Sequence, residues 1–181
     1  MTLNNIIMSA LRQLERGTDA QTIDSYQGTF TDYVNEALRL IARSRYKQTR
    51  QDIVKLDENG CFNLADLERE CIRIETVNGG TGFTQLITGV ISCGGKEGDE
   101  VKVVYRFMPK PLSSTAEVPE VPERMHGAIA SYVVARHRVS SGDPNMQAAA
   151  AYHFDLFNRE LALLERETHG TPDSFKLKNR W

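Results

Sequence analysis

The sequence predicts an α+β chain, mainly α: a four-helix core, a small antiparallel β insertion between helices 2 and 3, and an extended C-terminal tail. Three observations predict it. Apolar residues recur at helical spacing before residue 47 and after residue 122, whereas between residues 51 and 107 the period falls to two and glycine-rich turns appear. In the last stretch, Lys176, Lys178 and Arg180 alternate with other side chains, as on an extended strand. Four segments follow: 1–50, an N-terminal helical pair; 51–112, the β insertion; 113–170, a helical hairpin completing the bundle; and 171–181, the tail.

Residues Leu3 to Arg16 place Leu3, Ile6, Ile7, Ala10, Leu11 and Leu14 on one face, and Gly17 stands where a C-terminal cap belongs. The polar run Thr18 to Gly28 reads as a connection. A second helix is expected from about Thr31 to Tyr46, with Phe30, Val34, Ala37, Leu38 and Ile41 spaced for one face.

The middle of the chain alternates. Asp52 to Leu56 and Cys61 to Leu64 flank Asp57-Glu58-Asn59-Gly60, whose Asn-Gly pair is a strong hairpin signal. Glu70 to Val77 is expected as a further strand, Leu86 to Ile91 as one short strand between two glycine-rich turns, and Val101 to Phe107 as the strand that closes the sheet. A sheet of about sixty residues needs its open face covered, by these helices or by another molecule.

After Pro109 and Pro111, a proline-rich lead reaches two helices broken at Ser140-Ser141-Gly142-Asp143. In the first, Met125, Ala128, Ile129, Tyr132 and Val133 form a stripe, with Pro122 suited to the opening turn. Gly142 suits the left-handed end of that helix, Asp143 the cap of the next and Pro144 its first position. The second helix carries Met146, Ala150, Phe154, Phe157, Leu161 and Leu164 on one face, while Tyr152, Leu156 and Leu163 project from another side. Such a helix is buried on more than one side, as a central core helix or at a subunit interface.

The totals narrow the class. With 181 residues, 40% apolar, the chain can bury a real core in one domain, or in one domain with a small insertion. A net charge of -2 offers no global reason to bind nucleic acid or membrane, and no stretch approaches the roughly 20 apolar residues of a membrane span. The three cysteines, Cys61, Cys71 and Cys93, form no CxxC pair, so neither a disulfide framework nor a zinc site is indicated and a reducing cytoplasm is the expected setting. No secretion signal is apparent at the start.

Chemistry is absent from the pattern. No HExxH, GxSxG or Walker motif occurs, and Gly80, Gly82 and Gly89 have the wrong spacing for a dinucleotide fingerprint. His126, His137 and His153 read as partly exposed structural residues. Neither an enzyme nor a cofactor or metal is expected. Arg43, Arg45, Lys47 and Arg50 complement a helix C-terminus, or else contact phosphate, as on DNA, or an acidic partner surface. In the tail, Phe175, Leu177 and Trp181 face opposite to Lys176, Lys178 and Arg180 if the segment is extended. Chain ends fray, but this pattern also suits strand addition or groove docking on a partner.

The order of elements carries a resemblance. "VNEALRLIAR" precedes the sheet, and "VYRFMPKPL" leads to "VPERMHGAIASYVVARHRVSSGDPNMQAAAAYHFDLFNREL". Through Tyr105, Pro109, Leu112, Pro122, Glu123, His126, Ala128, Asp143, Ala150, Tyr152 and Phe157, this resembles the head-to-tail adaptor, or connector, proteins of tailed bacteriophages. Gly127 departs from the pattern, standing where the family often has a better helix former.

The resemblance implies a non-enzymatic structural protein of the virion neck at the portal vertex, assembled in the host cytoplasm. It implies a homo-oligomeric ring, usually dodecameric, bound to the portal protein and presenting a platform to a tail or head-closure (stopper) protein. DNA would pass through the ring without sequence-specific binding, and no membrane would be contacted. It further implies that Phe175, Lys176, Leu177, Lys178, Arg180 and Trp181 dock on the portal and that Tyr152, Leu156 and Leu163 pack between subunits. A rival reading is a small helical nucleic-acid-binding or regulatory module using Arg43 to Arg50 or Arg136-His137-Arg138. A third is a scaffold or chaperone partner that folds like an adaptor but stays out of the virion.

Overall fold

The computed structural model describes residues 1–168, so the expected tail at 171–181, with Phe175, Lys176, Leu177, Lys178, Arg180 and Trp181, lies outside the described residues. The chain is mixed α+β. Its elements are α1 (Leu3–Gln13), α2 (Ala20–Arg43), β1 (Thr49–Lys55), β2 (Cys61–Asn63), β3 (Cys71–Val77), β4 (Thr84–Ile87), β5 (Val90–Ser92), β6 (Glu100–Phe107), α3 (Met125–Ser140) and α4 (Pro144–Thr168).

α1 opens with the Thr2 hydroxyl accepting the Asn5 N–H at 3.3 Å, and buries Leu3, Ile6, Ile7, Ala10 and Leu11 as its spacing predicts. Its end corrects the expectation of a glycine stop at Gly17. Glu15 takes the left-handed conformation, φ 56°, with its N–H on the Arg12 carbonyl at 3.0 Å and the Arg16 N–H on the Leu11 carbonyl at 2.9 Å, the Schellman pattern. Gly17 serves close approach instead: a Cβ there would lie 2.7 Å from Asp19 Oδ2.

That Asp19 explains a second correction. Residues Thr18 to Gly28 are not a connection, because α2 begins at Ala20. Asp19 Oδ1 accepts the Thr22 N–H at 3.0 Å and Oδ2 the Thr22 hydroxyl at 2.7 Å, which starts the helix. Ile23, Tyr26 and Phe30 then pack on the helical core, and this burial outweighs the poor helix propensity of the polar and glycine residues between them. The far end also differs from the expected Tyr46, since α2 stops at Arg43.

Pairing in the β region differs from the expected single sheet. β1, β6 and β3 form one antiparallel sheet with β6 in the centre, and β2, β5 and β4 form another. The Asp57 to Gly60 turn is present, with Asp57 Oδ1 accepting the Asn59 and Cys61 N–H groups at 2.9 Å and Gly60 at φ 70°. It does not make a hairpin ladder. β1 pairs along all seven of its residues with β6, whereas β2 has three residues to offer, so the longer ladder prevails. The strand expected over Leu86 to Ile91 is instead the β4–β5 hairpin, turned at Gly89 with φ 87°. The sheets cover one another: Val54, Val101, Val103, Tyr105 and Ile74 of the first share a core with Phe62 and Ile91 of the second.

α3 is the central helix. It packs on α1, α2 and α4 and is buried nearly all round from Met125 to Ala135. Pro122 precedes it, accepting the Met125 N–H on its carbonyl at 2.8 Å, rather than forming its opening turn. Gly142, φ 74°, and Asp143, whose Oδ1 accepts the Asn145 N–H at 2.9 Å, make the expected break before α4. α4 is the outer member of the hairpin, so the expectation that it is buried on more than one side does not hold within this chain. Ala150, His153, Phe157 and Leu164 face inward, and Met146, expected on that face, is 43% exposed.

Candidate functional site

Helical core and sheets meet at a seam of polar side chains. The Arg106 guanidinium, from the central strand β6, donates to the carbonyls of Ala42, Ser44 and Tyr46 at 3.1, 2.7 and 3.0 Å, closing the end of α2. Asn35, on α2, holds the Leu112 backbone, and the N–H groups of Leu3 and Asn4 reach the carbonyls of Glu117 and Thr115 at 2.8 and 3.0 Å. The lead into α3 is thereby fastened to α1 and α2.

Beside it, Tyr105 donates its hydroxyl to Asp52 Oδ2 at 2.6 Å, and Arg69 grips Glu120 through Nε and Nη2 at 3.2 and 2.7 Å. Burial and the neighbouring Asp52 push the Tyr105 hydroxyl up to about 12. Burial alone would raise Asp52, but hydrogen bonds from Tyr105, the Glu68 amide and Arg50 outweigh it and leave the carboxyl below its usual range. The Arg69 guanidinium lowers Glu120 in the same way. These groups are locked in one charge state at neutral pH and suit structure rather than proton transfer.

The remaining titratable groups point the same way. Burial raises the Cys71 thiol to about 11, so it stays protonated. His126 and His153, expected to be partly exposed, are 2% and 9% exposed, and burial holds both below the usual imidazole value. Among the described residues no group of three or more His, Cys, Asp or Glu side chains is placed to hold a metal ion, and no helix is long and apolar enough to cross a membrane.

The structure divides the basic cluster. Arg43 and Arg45 flank the end of α2 and are exposed, as is Lys47, while the Arg45 N–H donates to Glu165 of α4 at 2.8 Å. Arg50 turns inward, with Nε 3.1 Å from Asp52 and Nη2 on Glu68. On α4, Tyr152 and Leu163 are 64% and 49% exposed, and Leu156 is half-buried over Gly127, Ala128 and Ser131 of α3. These three residues share the outward side of the hairpin.

Two surfaces escaped sequence reading. The β4 strand is exposed throughout and shows Leu86 and Ile87 to solvent at 57% and 67%. The signal was the Thr88-Gly89 pair, which divides a run that looks continuous. The other is a cleft of about 620 Å³ between α2 and residues 108–111, to which the sequence gives no clue because its walls are far apart along the chain.

The family model described as SU10 adaptor protein matches residues 87–175, from the end of β4 through β5, β6, α3 and α4. The resemblance to phage head-tail adaptors is borne out over that part of the chain, and it supports a structural adaptor role in association with phage portal and tail proteins. The family is not typically enzymatic, and it suggests a place at the virion neck. No curated protein matches the chain.

Proposed function

We propose that this chain is a structural virion protein that closes into a ring beneath the portal, joins the DNA-filled head to the tail and prolongs the DNA channel. The observation that carries the reading is the adaptor-family match over residues 87–175, which takes in the α3–α4 hairpin and the strand and lead that position it.

The outward side of α4 supports the ring. A cyclic assembly repeats one head-to-tail contact, which needs an exposed face that the subunit cannot cover by itself. Tyr152 and Leu163, exposed beside half-buried Leu156, are assigned to that contact. In the bound state the ring is a dodecamer, with segments 1–50 and 113–170 as its helical body, 51–112 as the β insertion, and DNA passing without sequence-specific binding. The platform opposite the portal meets a tail or head-closure protein.

Segment 171–181 is assigned to docking on the portal. Phe175, Leu177 and Trp181 fill pockets, while Lys176, Lys178 and Arg180 meet acidic groups. Ordering such a segment costs roughly 1–2 kcal/mol per residue, so several apolar side chains must be buried in return. Repetition around a ring makes a weak single anchor sufficient.

Light scattering on a sizing column tests the reading: the protein alone, then mixed with the portal ring from the same phage. Co-elution as a multimer is expected. Separate elution would remove the ring reading, and undiminished attachment after deletion of Thr171 to Trp181 would remove the docking role.

A further inference from the structure

We propose that the cleft between α2 and residues 108–111 is a docking site for an extended acidic segment of a partner protein, one that carries carboxylates together with an apolar side chain. The cleft holds about 620 Å³, the size of a site that encloses a few side chains. Its floor is apolar, made by Leu38, Met108 and Pro109. Its rim is cationic.

Arg39 and Arg43 stand four residues apart on α2 and so line the same wall, and both are exposed. Among the described residues neither side chain forms a hydrogen bond or ion pair. Lys110 stands on the facing wall, 4.0 Å from Glu117. The acids nearby do not balance them: Glu68 is already engaged by Arg50 and Arg69 and Glu117 stands against Lys110, which leaves Glu70 as the one lining carboxylate for Arg39 and Arg43. Two like charges at helical i,i+4 spacing repel one another, and a bound carboxylate relieves that repulsion.

The combination of floor and rim selects the occupant. A nucleic-acid backbone would engage the cations but leave the floor of Leu38, Met108 and Pro109 unused, and an apolar peptide would leave the rim unused. A segment with alternating carboxylate and apolar side chains uses both. The proposal rests neither on the ring contact nor on the docking of segment 171–181.

The test is fluorescence anisotropy of a short labelled peptide of alternating glutamate and leucine, titrated with the full chain. A lysine–leucine peptide and a short labelled DNA duplex serve as comparisons. Saturable binding of the acidic peptide is expected, weakened roughly tenfold or more by Arg39→Gln with Arg43→Gln and little changed by Lys102→Gln on β6. Lys110→Gln, on the opposite wall, gives an independent reading should the double variant fold poorly. Absence of saturable binding, equal binding of the lysine peptide, or indifference to the cleft variants would overturn the proposal. Duplex binding as tight as the peptide's and equally sensitive to Arg39 and Arg43 would overturn it in favour of a phosphate site.

Discussion

Asn35 closes both ends of its side-chain amide on one residue: Nδ2 donates to the Leu112 carbonyl at 3.0 Å, and Oδ1 accepts the Leu112 N–H at 2.8 Å. Leu112 is 6% exposed, so its backbone groups have little water to fall back on. The clamp fixes the lead to α2. Asn35→Ala should lower stability by about 1–3 kcal/mol, and Asn35→Asp should not restore it, because a carboxylate cannot donate to the carbonyl. Urea denaturation with an unchanged slope checks this; a midpoint equal to that of the parent chain would show that the clamp contributes nothing.

Arg106 serves three carbonyls at the end of α2 from a strand of the first sheet. Arg106→Met keeps most of the aliphatic stem and removes the donors. A loss of about 1.5–3 kcal/mol is expected, with Arg106→Lys between parent and Met: all three carbonyls are served by Nη2 alone, so the three donors of an ammonium replace it only as far as the shorter lysine stem reaches. If Lys is no better than Met in thermal melting, the donated hydrogen bonds are not the source of the loss.

Two backbone positions leave stability unused. Glu15 holds a left-handed conformation and Gly28 lies in the exposed interior of α2, where an added Cβ meets nothing within 4 Å. Glu15→Gly and Gly28→Ala should each stabilise by about 1 kcal/mol, the first by relieving strain and the second by propensity. Each should raise the melting temperature by roughly 2–4 °C for a chain of this size. A lowered melting temperature in either variant would refute the corresponding argument.

Acid should loosen the helical core. Burial lowers the pKa of His126, His137 and His153 below the ordinary imidazole value of about 6.5. Above that value both folded and unfolded chains are neutral at these sites and the full stability is present. As pH falls below it, the unfolded chain takes up protons first, so stability declines until the folded histidines titrate as well. Melting temperature measured from pH 7.5 to 5 should therefore fall, and His153→Gln should flatten the slope. A pH-independent melting temperature over that range is the contrary outcome.

The outward side of α4 carries the assembly prediction. Tyr152→Glu with Leu163→Glu places charges on side chains that are 64% and 49% exposed in the subunit, so folding should survive with a change within about 0.5 kcal/mol. Ring formation on the portal should be lost. Normal rings from the double variant would move the subunit contact elsewhere.

The local features were the legible ones. The spacing of Leu3, Ile6, Ile7, Ala10 and Leu11 predicts α1, and Gly142-Asp143-Pro144 predicts the break between α3 and α4, because these signals act within a few residues. The first half of α2 was hidden by Thr22, Ser25, Gly28 and Thr29, yet Asp19 three residues before Thr22 was a cap in plain view. The central place was expected of α4 and belongs to α3, although the uncharged run from Met125 to Ala135 carried the signal.

Within the candidate surfaces, Tyr152, Leu156 and Leu163 were readable as a second side of a helix, since 3.6-residue periodicity is local. The seam was not. Asn35 meets Leu112 across 77 residues, and Arg106 meets Ser44 across 62, separations at which sequence carries no trace of a partner.

By itself, then, the sequence determined the helix faces, the turns at Gly60 and Gly142, the mixed α+β class and the order of elements that resembles phage adaptors. Only the tertiary structure decided that β1 pairs with β6 rather than β2, that the sheets cover each other, and that Arg39, Arg43 and Lys110 rim one cleft. Periodicity and caps are settled by neighbours along the chain. Strand partners and clefts are settled by competition among distant segments for the same hydrogen bonds and the same apolar surface.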